Sequence, residues 1–148
     1  MFALPLSYVS GPSDTPLIGE TIGANLARTA ARFPDQEALV CVEQGYRATY
    51  AQFHVATATV AKALLAAGIV RGDRVGIWAP NRAEWVLLQY ATARIGVILV
   101  NVNPAYRAHE LAYVLKQAGI RMLVSAQRFK TSDYVAMVQA VLPEASTL

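Results

Sequence analysis

Residues 73–104 read DRVGIWAPNRAEWVLLQYATARIGVILVNVNP, a run that passes from strand to turn to helix to strand. Residues 74–79 form a short apolar segment centred on Val75 and Ile77, and Pro80-Asn81 interrupts it. Asn81 is expected to cap the following helix, because its side-chain oxygen can accept one of the unpaired N–H groups of a first turn. Glu84, three residues on, can reach back to the cap and also meets the positive helix end. Trp85, Leu88 and Ala91 fall on one side of this helix, and Gly96 closes it. Residues 97–100 (VILV) are a β-branched run of strand length, ended by Asn103-Pro104. Two nearly continuous apolar strands joined by a helix predict a parallel βαβ unit covered on both faces.

The pattern continues on the C-terminal side. Leu111, Val114, Leu115 and Ala118 recur at i, i+3, i+4 and i+7, which predicts a helix over about residues 107–118, with Gly119 after it. Residues 121–125 read as another apolar strand. Thr131 or Ser132 is expected to cap a last helix that Pro143 ends. From Arg74 onward the order is β-α-β-α-β-α, the pattern of a parallel α/β sheet.

On the N-terminal side, residues 1–19 are rich in Pro, Gly and Ser and read as an extension, with the body of the chain at 20–148. A first helix is expected from Thr21, with Ile22, Leu26, Ala30 and Phe33 on one stripe, stopping before Pro34. Residues 38–42 and 46–49 flank Glu43-Gln44-Gly45 and predict a β-hairpin. Thr49 and Gln52 have capping-box spacing, so a helix should begin at Tyr50 and run to Gly68. The expected fold class is α/β: a mostly parallel sheet with helices on both faces, plus an N-terminal helix and β-hairpin.

Composition narrows the function classes. Of 148 residues, 55% are hydrophobic and only 16% charged, more apolar than a typical soluble domain. Such a chain either buries much of itself or offers surface to something else. Thirteen basic and ten acidic residues give a net charge of +3. The basic residues form no run, so they read as solvated surface positions and no nucleic-acid partner is expected. The single cysteine, Cys41, excludes an internal disulfide framework and, inside an apolar run, reads as a buried structural thiol. The N-terminus has no basic region preceding its apolar part, so no signal peptide is expected and the location reads as cytoplasmic. Residues 85–102 have spanning length but carry Arg94 and Gln89 mid-way and change period at Gly96, so a transmembrane segment is not expected.

The common catalytic devices are missing. There is no G-x-x-x-x-G-K-[ST] and no G-x-G-x-x-G, which makes a dinucleotide-binding domain a poor reading. There is no G-x-S-x-G elbow and no cluster with metal-ligand spacing. His54 and His109, the only histidines, read as packed or surface imidazoles. Trp78 and Trp85 bracket the Pro80-Asn81 turn, either as a ligand wall at a strand end or as core, and core packing is the favoured reading.

Several short pieces, in order, resemble one family. These are Thr49-Tyr50 opening a helix, Gly72-Asp73-Arg74-Val75, Ala79-Pro80-Asn81 followed by Glu84-Trp85, and Gly96 before an apolar strand. Val102-Asn103-Pro104-Ala105-Tyr106, the run Glu110-Leu111-Ala112-Tyr113-Val114-Leu115, and Arg128-Phe129-Lys130-Thr131 follow. Together they resemble the N-terminal part of an adenylate-forming (AMP-binding) enzyme, most similar to fatty-acyl-CoA synthetases of the medium-chain type. The resemblance implies use of ATP, Mg2+ and coenzyme A (CoA), with a fatty acid as substrate. It implies that a carboxylic acid is activated to an acyl-adenylate with release of pyrophosphate, and that the acyl group then passes to CoA. It further implies that the Ser/Thr/Gly-rich phosphate loop and the catalytic lysine lie in segments this sequence does not contain. The chain is then expected to be an N-terminal scaffold fragment, inactive alone and prone to self-association. No catalytic and no metal-binding residue is expected in it. The resemblance brings the CoA channel near Asn103 and near the basic residues Arg128 and Lys130, as candidate cofactor-binding residues. The alternatives are a stand-alone acyl- or CoA-binding or protein-interaction module, and an unrelated nucleotide-binding domain.

Overall fold

The structure is a computed structural model that describes residue 11 and residues 14–144. The expected extension over residues 1–19 lies mostly outside these described residues. Helix α1 (Ile22–Arg32) starts at Thr21, whose hydroxyl accepts the Ala24 N–H at 3.2 Å. Its expected apolar stripe is buried only in its middle, at Leu26 and Ala30, while Ile22 and Phe33 at the ends stay exposed. Strands β1 (Glu37–Cys41) and β2 (Tyr46–Thr49) pair antiparallel around a short 3-10 turn, Val42–Gln44. Gly45 takes the left-handed conformation that closes this turn, at φ 62°.

Helix α2 (Tyr50–Ala66) begins with the expected capping box: Gln52 N–H donates to Thr49 Oγ1, and Thr49 N–H donates to Gln52 Oε1. Gly68, at φ 81°, ends it. Phe53, Thr57, Ala61 and Leu64 form its buried face.

The centre is a three-stranded parallel sheet of order β4-β3-β5, made by β3 (Arg74–Trp78), β4 (Ile98–Asn101) and β5 (Met122–Ser125). Helix α3 (Ala83–Ile95) joins β3 to β4, and α4 (Ala108–Ala118) joins β4 to β5. The chain steps from β3 to β4 in one direction and from β4 back across β3 in the other. Right-handed crossovers therefore put α3 and α4 on opposite faces. Residues 85–102, weighed as a membrane span, divide into α3 and β4. Among the described residues no helix is long and apolar enough to cross a membrane.

Val75 and Ile77 point to one sheet face, and Gly76 and Trp78 to the other, as strand alternation requires. All four are buried. Gly76 is small for a reason: a Cβ there would sit 2.9 Å from Ile120 Cδ1 and 3.1 Å from Leu123 Cδ1. The side chains of the β4–α4–β5 unit close directly on the β3 backbone at that point.

Three expected details are corrected. Asn81 does not cap α3. The cap position is Arg82, which makes no side-chain capping bond, and the Ala83 N–H instead donates to Gln44 Oε1 at 2.7 Å. The cap comes from the β1–β2 turn, far away in sequence. Cys41 is only half-buried, because the two-stranded ribbon has one side open; its thiol lies 3.0 Å from Gln44 Oε1. The last helix, α5 (Tyr134–Val141), is capped by neither Thr131 nor Ser132. Asp133 accepts the Ala136 N–H at 3.0 Å, because Ser132 and Asp133 pair back onto Arg128 and Phe129 as a hairpin.

Candidate functional site at the C-terminal edge of the sheet

Open α/β sheets place their sites beyond the C-terminal ends of the strands. In this chain that edge carries the turn after β4 and the connection after β5. Residues 103–106 form the first of these. Asn103 Oδ1 accepts the Ala105 N–H at 2.9 Å, and its carbonyl accepts the Tyr106 N–H at 3.0 Å. The Asn103 side-chain oxygen is thus engaged in its own turn, and its amide nitrogen is the part left to donate outward. Two buried aromatic residues hold the turn from below. Trp78 Nε1–H donates to the Asn103 carbonyl at 3.0 Å, and the Tyr134 hydroxyl donates to the Pro104 carbonyl. Burial raises the Tyr134 hydroxyl pKa, so it stays a donor. The Trp78 and Tyr134 rings stack at 3.6 Å. Trp78 is therefore core and not a ligand wall, and Trp85 is half-buried against the same core.

The second part is a hairpin that the sequence did not suggest. Strands β6 (Arg128–Phe129) and β7 (Ser132–Asp133) pair antiparallel, Arg128 opposite Asp133 and Phe129 opposite Ser132. Two residues per strand are too few to leave a periodic signal. Lys130, in the tip, has φ 50°, the one positive φ among the described non-glycine residues. A left-handed lysine costs on the order of 1 kcal/mol.

The structure separates the two candidate cations of this hairpin. Arg128 shares a side with Asp133, whereas Phe129 and Ser132 face the other way. Lys130 Nζ lies 5.3 Å from the centre of the Phe129 ring, and Arg107 Nη1 donates to Ser132 Oγ at 2.7 Å. Arg107 and Lys130 therefore attend the same side of the hairpin. Arg107 also ties the hairpin to the turn after β4. It stands at the α4 cap, where its N–H donates to Glu110 Oε2 at 3.0 Å. Hydrogen bonds from the Glu110 and Arg107 N–H groups lower the Glu110 pKa and keep it anionic. The sequence reading missed Arg107. Its only signal was position, one helix cap after Asn103-Pro104.

This edge presents Arg107, Arg128 and Lys130 beside an Asx turn, with Asp133 occupied by its helix. The donor set suits phosphate oxygens. It does not suit a metal: among the described residues no group of three His, Cys, Asp or Glu side chains could hold one. His54 Nε2 is buried and finds no hydrogen-bond partner among the described residues, and His109 is exposed on the first turn of α4.

Residues 26–148 match the family described as AMP-binding enzyme. The chain belongs to that family. Within it, 139 residues are 45% identical to the medium-chain acyl-CoA ligase ACSF2, mitochondrial, of Rattus norvegicus, covering 94% of this chain and 23% of that protein. The Homo sapiens protein of the same name is 46% identical over 139 residues, again 94% of this chain and 23% of the relative. The chain thus spans about a quarter of the length of these AMP-binding relatives. Its fold matches the inhibitor-bound N-terminal domain of FACL13 from Mycobacterium tuberculosis with TM-score 0.76 at 28% identity, over 85% of this chain and 30% of that one. It also matches a Mycobacterium tuberculosis fatty acyl CoA synthetase with TM-score 0.76 at 29% identity, over 84% and 24%. The α/β architecture expected from the sequence is that of the N-terminal region of acyl-CoA synthetases.

Proposed function

We propose that this chain is the N-terminal scaffold segment of an ATP-dependent fatty acid–CoA ligase. The observation that carries the reading is its 45% identity, over nearly its whole length, to a medium-chain acyl-CoA ligase. In such a reaction the fatty acid carboxylate attacks the α-phosphorus of ATP. Pyrophosphate leaves and an acyl-adenylate forms. The CoA thiolate then attacks the acyl carbonyl, and AMP leaves. ATP, Mg2+ and CoA belong to the whole ligase. No adenylation step is assigned to residues of this segment, whose sequence lacks a glycine-rich phosphate loop.

The segment's own contribution is to position CoA. Asn103 and Lys130 meet its phosphates on one side of the hairpin and Arg128 from the Asp133 side, and the link from Arg107 to the Lys130 side supports adding Arg107 to them. Cations fixed at a strand end neutralise a polyanion without reorganising, which lowers the cost of binding. ATP- and acid-dependent pyrophosphate release tests the scaffold reading. None is expected from the 148-residue chain alone, and release from it overturns the reading. Charge reversal at Arg128 and Lys130 in the whole ligase should raise the KM for CoA, and an unchanged KM removes both residues from the site.

Two further properties belong to this reading. The isolated chain self-associates through apolar surface that the rest of the ligase would cover, such as the groove of about 230 Å³ between α2, α3 and β5 lined by Val60, Leu64, Leu88, Met122 and Val124. Sedimentation that stays monomeric at high concentration contradicts this. The ligase acts in the cytoplasm, and a tagged protein found in mitochondria, where its named relatives are placed, contradicts that.

A further inference from the structure

Three parts of the edge converge on one residue, Tyr134. The Tyr134 N–H donates to the Gln127 carbonyl at 3.0 Å, closing the base of the β6–β7 hairpin. Its ring lies against Trp78 at the end of the central strand, and its hydroxyl reaches the Pro104 carbonyl in the turn after β4. Tyr134 is fully buried, so it cannot itself meet a ligand. It nevertheless joins the element carrying Lys130 to the element carrying Asn103. The backbone of this turn has few other hydrogen bonds among the described residues: Pro104 has no N–H to donate, and the Ala105 and Tyr106 N–H groups both donate back to Asn103, while the Tyr106 side chain packs on the core.

We propose that Tyr134 is a positioning residue for the CoA subsite. It fixes residues 103–106 against the base of the basic hairpin, and so sets the spacing at which Asn103, Arg107 and Lys130 meet the phosphates. This rests on the CoA-ligase reading above. A positioning error of an ångström is costly where several groups must meet one ligand at once.

The test uses Tyr134→Phe, which keeps the ring and its stack and deletes only the hydroxyl. In the 148-residue chain, amide hydrogen exchange at Ala105 and Tyr106 is expected to speed up about tenfold relative to the wild type. In the whole ligase, the KM for CoA is expected to rise about three- to tenfold, with kcat and the KM for ATP unchanged. A variant that is merely less stable would not raise one Michaelis constant alone. Unchanged exchange overturns the proposal, and so does faster exchange with an unchanged KM for CoA. A wild-type ligase without CoA-dependent turnover overturns the ligase reading and, with it, the CoA role of Tyr134. The exchange comparison, which needs no substrate, tells this failure from that of the tyrosine clasp.

Discussion

The Trp78 indole lies flat on the Tyr134 ring, with centroids 3.6 Å apart and planes 7° from parallel, and each side chain donates to one of two consecutive carbonyls, Asn103 and Pro104. Strand β3, the turn after β4 and the start of α5 meet at this pair. Truncating either ring leaves a cavity, and truncating Tyr134 also takes the donor from the Pro104 carbonyl, whereas the Asn103 carbonyl keeps the Tyr106 N–H. Tyr134→Ala should destabilise the chain by about 3–5 kcal/mol, and Tyr134→Phe by only about 0.5–1.5 kcal/mol. Urea denaturation of Trp78→Ala, Tyr134→Ala and the double variant should show coupling of about 0.5–1.5 kcal/mol. Strict additivity would mean that the stacked geometry contributes nothing of its own.

Gln44 reaches across from the hairpin turn to do the capping that Asn81 was expected to do. Its Oε1 takes the Ala83 N–H and its Nε2 donates to Glu84 Oε2 at 2.9 Å. Ala83 is buried, so water cannot replace the lost acceptor. Gln44→Ala should cost about 1–2 kcal/mol, as other cap removals do, while Asn81→Ala should stay within about 0.5 kcal/mol. Thermal or urea melts of the two variants decide between them, and equal losses would contradict the Gln44 cap.

Glu84 has its carboxyl lowered from 4.5 to about 2, first by the hydrogen bonds from Arg82 and then by that from Gln44. A lowered carboxyl binds fewer protons in the folded chain than in the unfolded one. Its stabilising contribution is complete above about pH 4.5 and is lost as pH falls toward 2. The Arg82–Glu84 pair is open to solvent, with bonds of 2.9 and 3.0 Å, so its worth is about 0.2–1 kcal/mol. Glu84→Gln should flatten the acid limb of the stability curve between pH 4.5 and 2 and be weaker than wild type at pH 7. An acid limb of unchanged slope would contradict the assignment.

Lys130 lets binding be separated from stability. Its φ of 50° suits glycine better than lysine. Lys130→Gly should leave stability unchanged or raise it by up to about 1 kcal/mol, while raising the KM for CoA in the whole ligase. A stability loss above about 1 kcal/mol with an unchanged KM would make Lys130 a structural residue.

Much of this architecture was legible in the sequence, for physical reasons. The parallel sheet declared itself because its strands are apolar on both faces and its helices repeat with a 3.6 period, as in VILV and the Leu111–Leu115 stripe. Capping by Thr49 and Gln52 was legible because both partners lie within one turn. The α3 cap was not, because Gln44 lies 39 residues from Ala83 and local rules cannot see it. The same limit hid the edge. Arg107, Ser132 and Tyr134 gain meaning only when the turn after β4 and the short hairpin are brought together, and a pairing of two residues per strand has no period to read. Asn103, Arg128 and Lys130 came from family resemblance, and the structure puts Lys130 and Arg107 on the same side of the hairpin and sets Arg128 opposite Asp133.

The most direct test of the scaffold role is a transplant. Residues 20–144 of this chain would replace the matching segment of the Homo sapiens medium-chain acyl-CoA ligase, and acyl-CoA formation from ATP, a medium-chain fatty acid and CoA would be measured. A folded chimera that forms acyl-CoA, and loses affinity for CoA when Arg107 and Lys130 are reversed in charge, is the expected result. A chimera that folds with the parent's stability yet forms no acyl-CoA would contradict it.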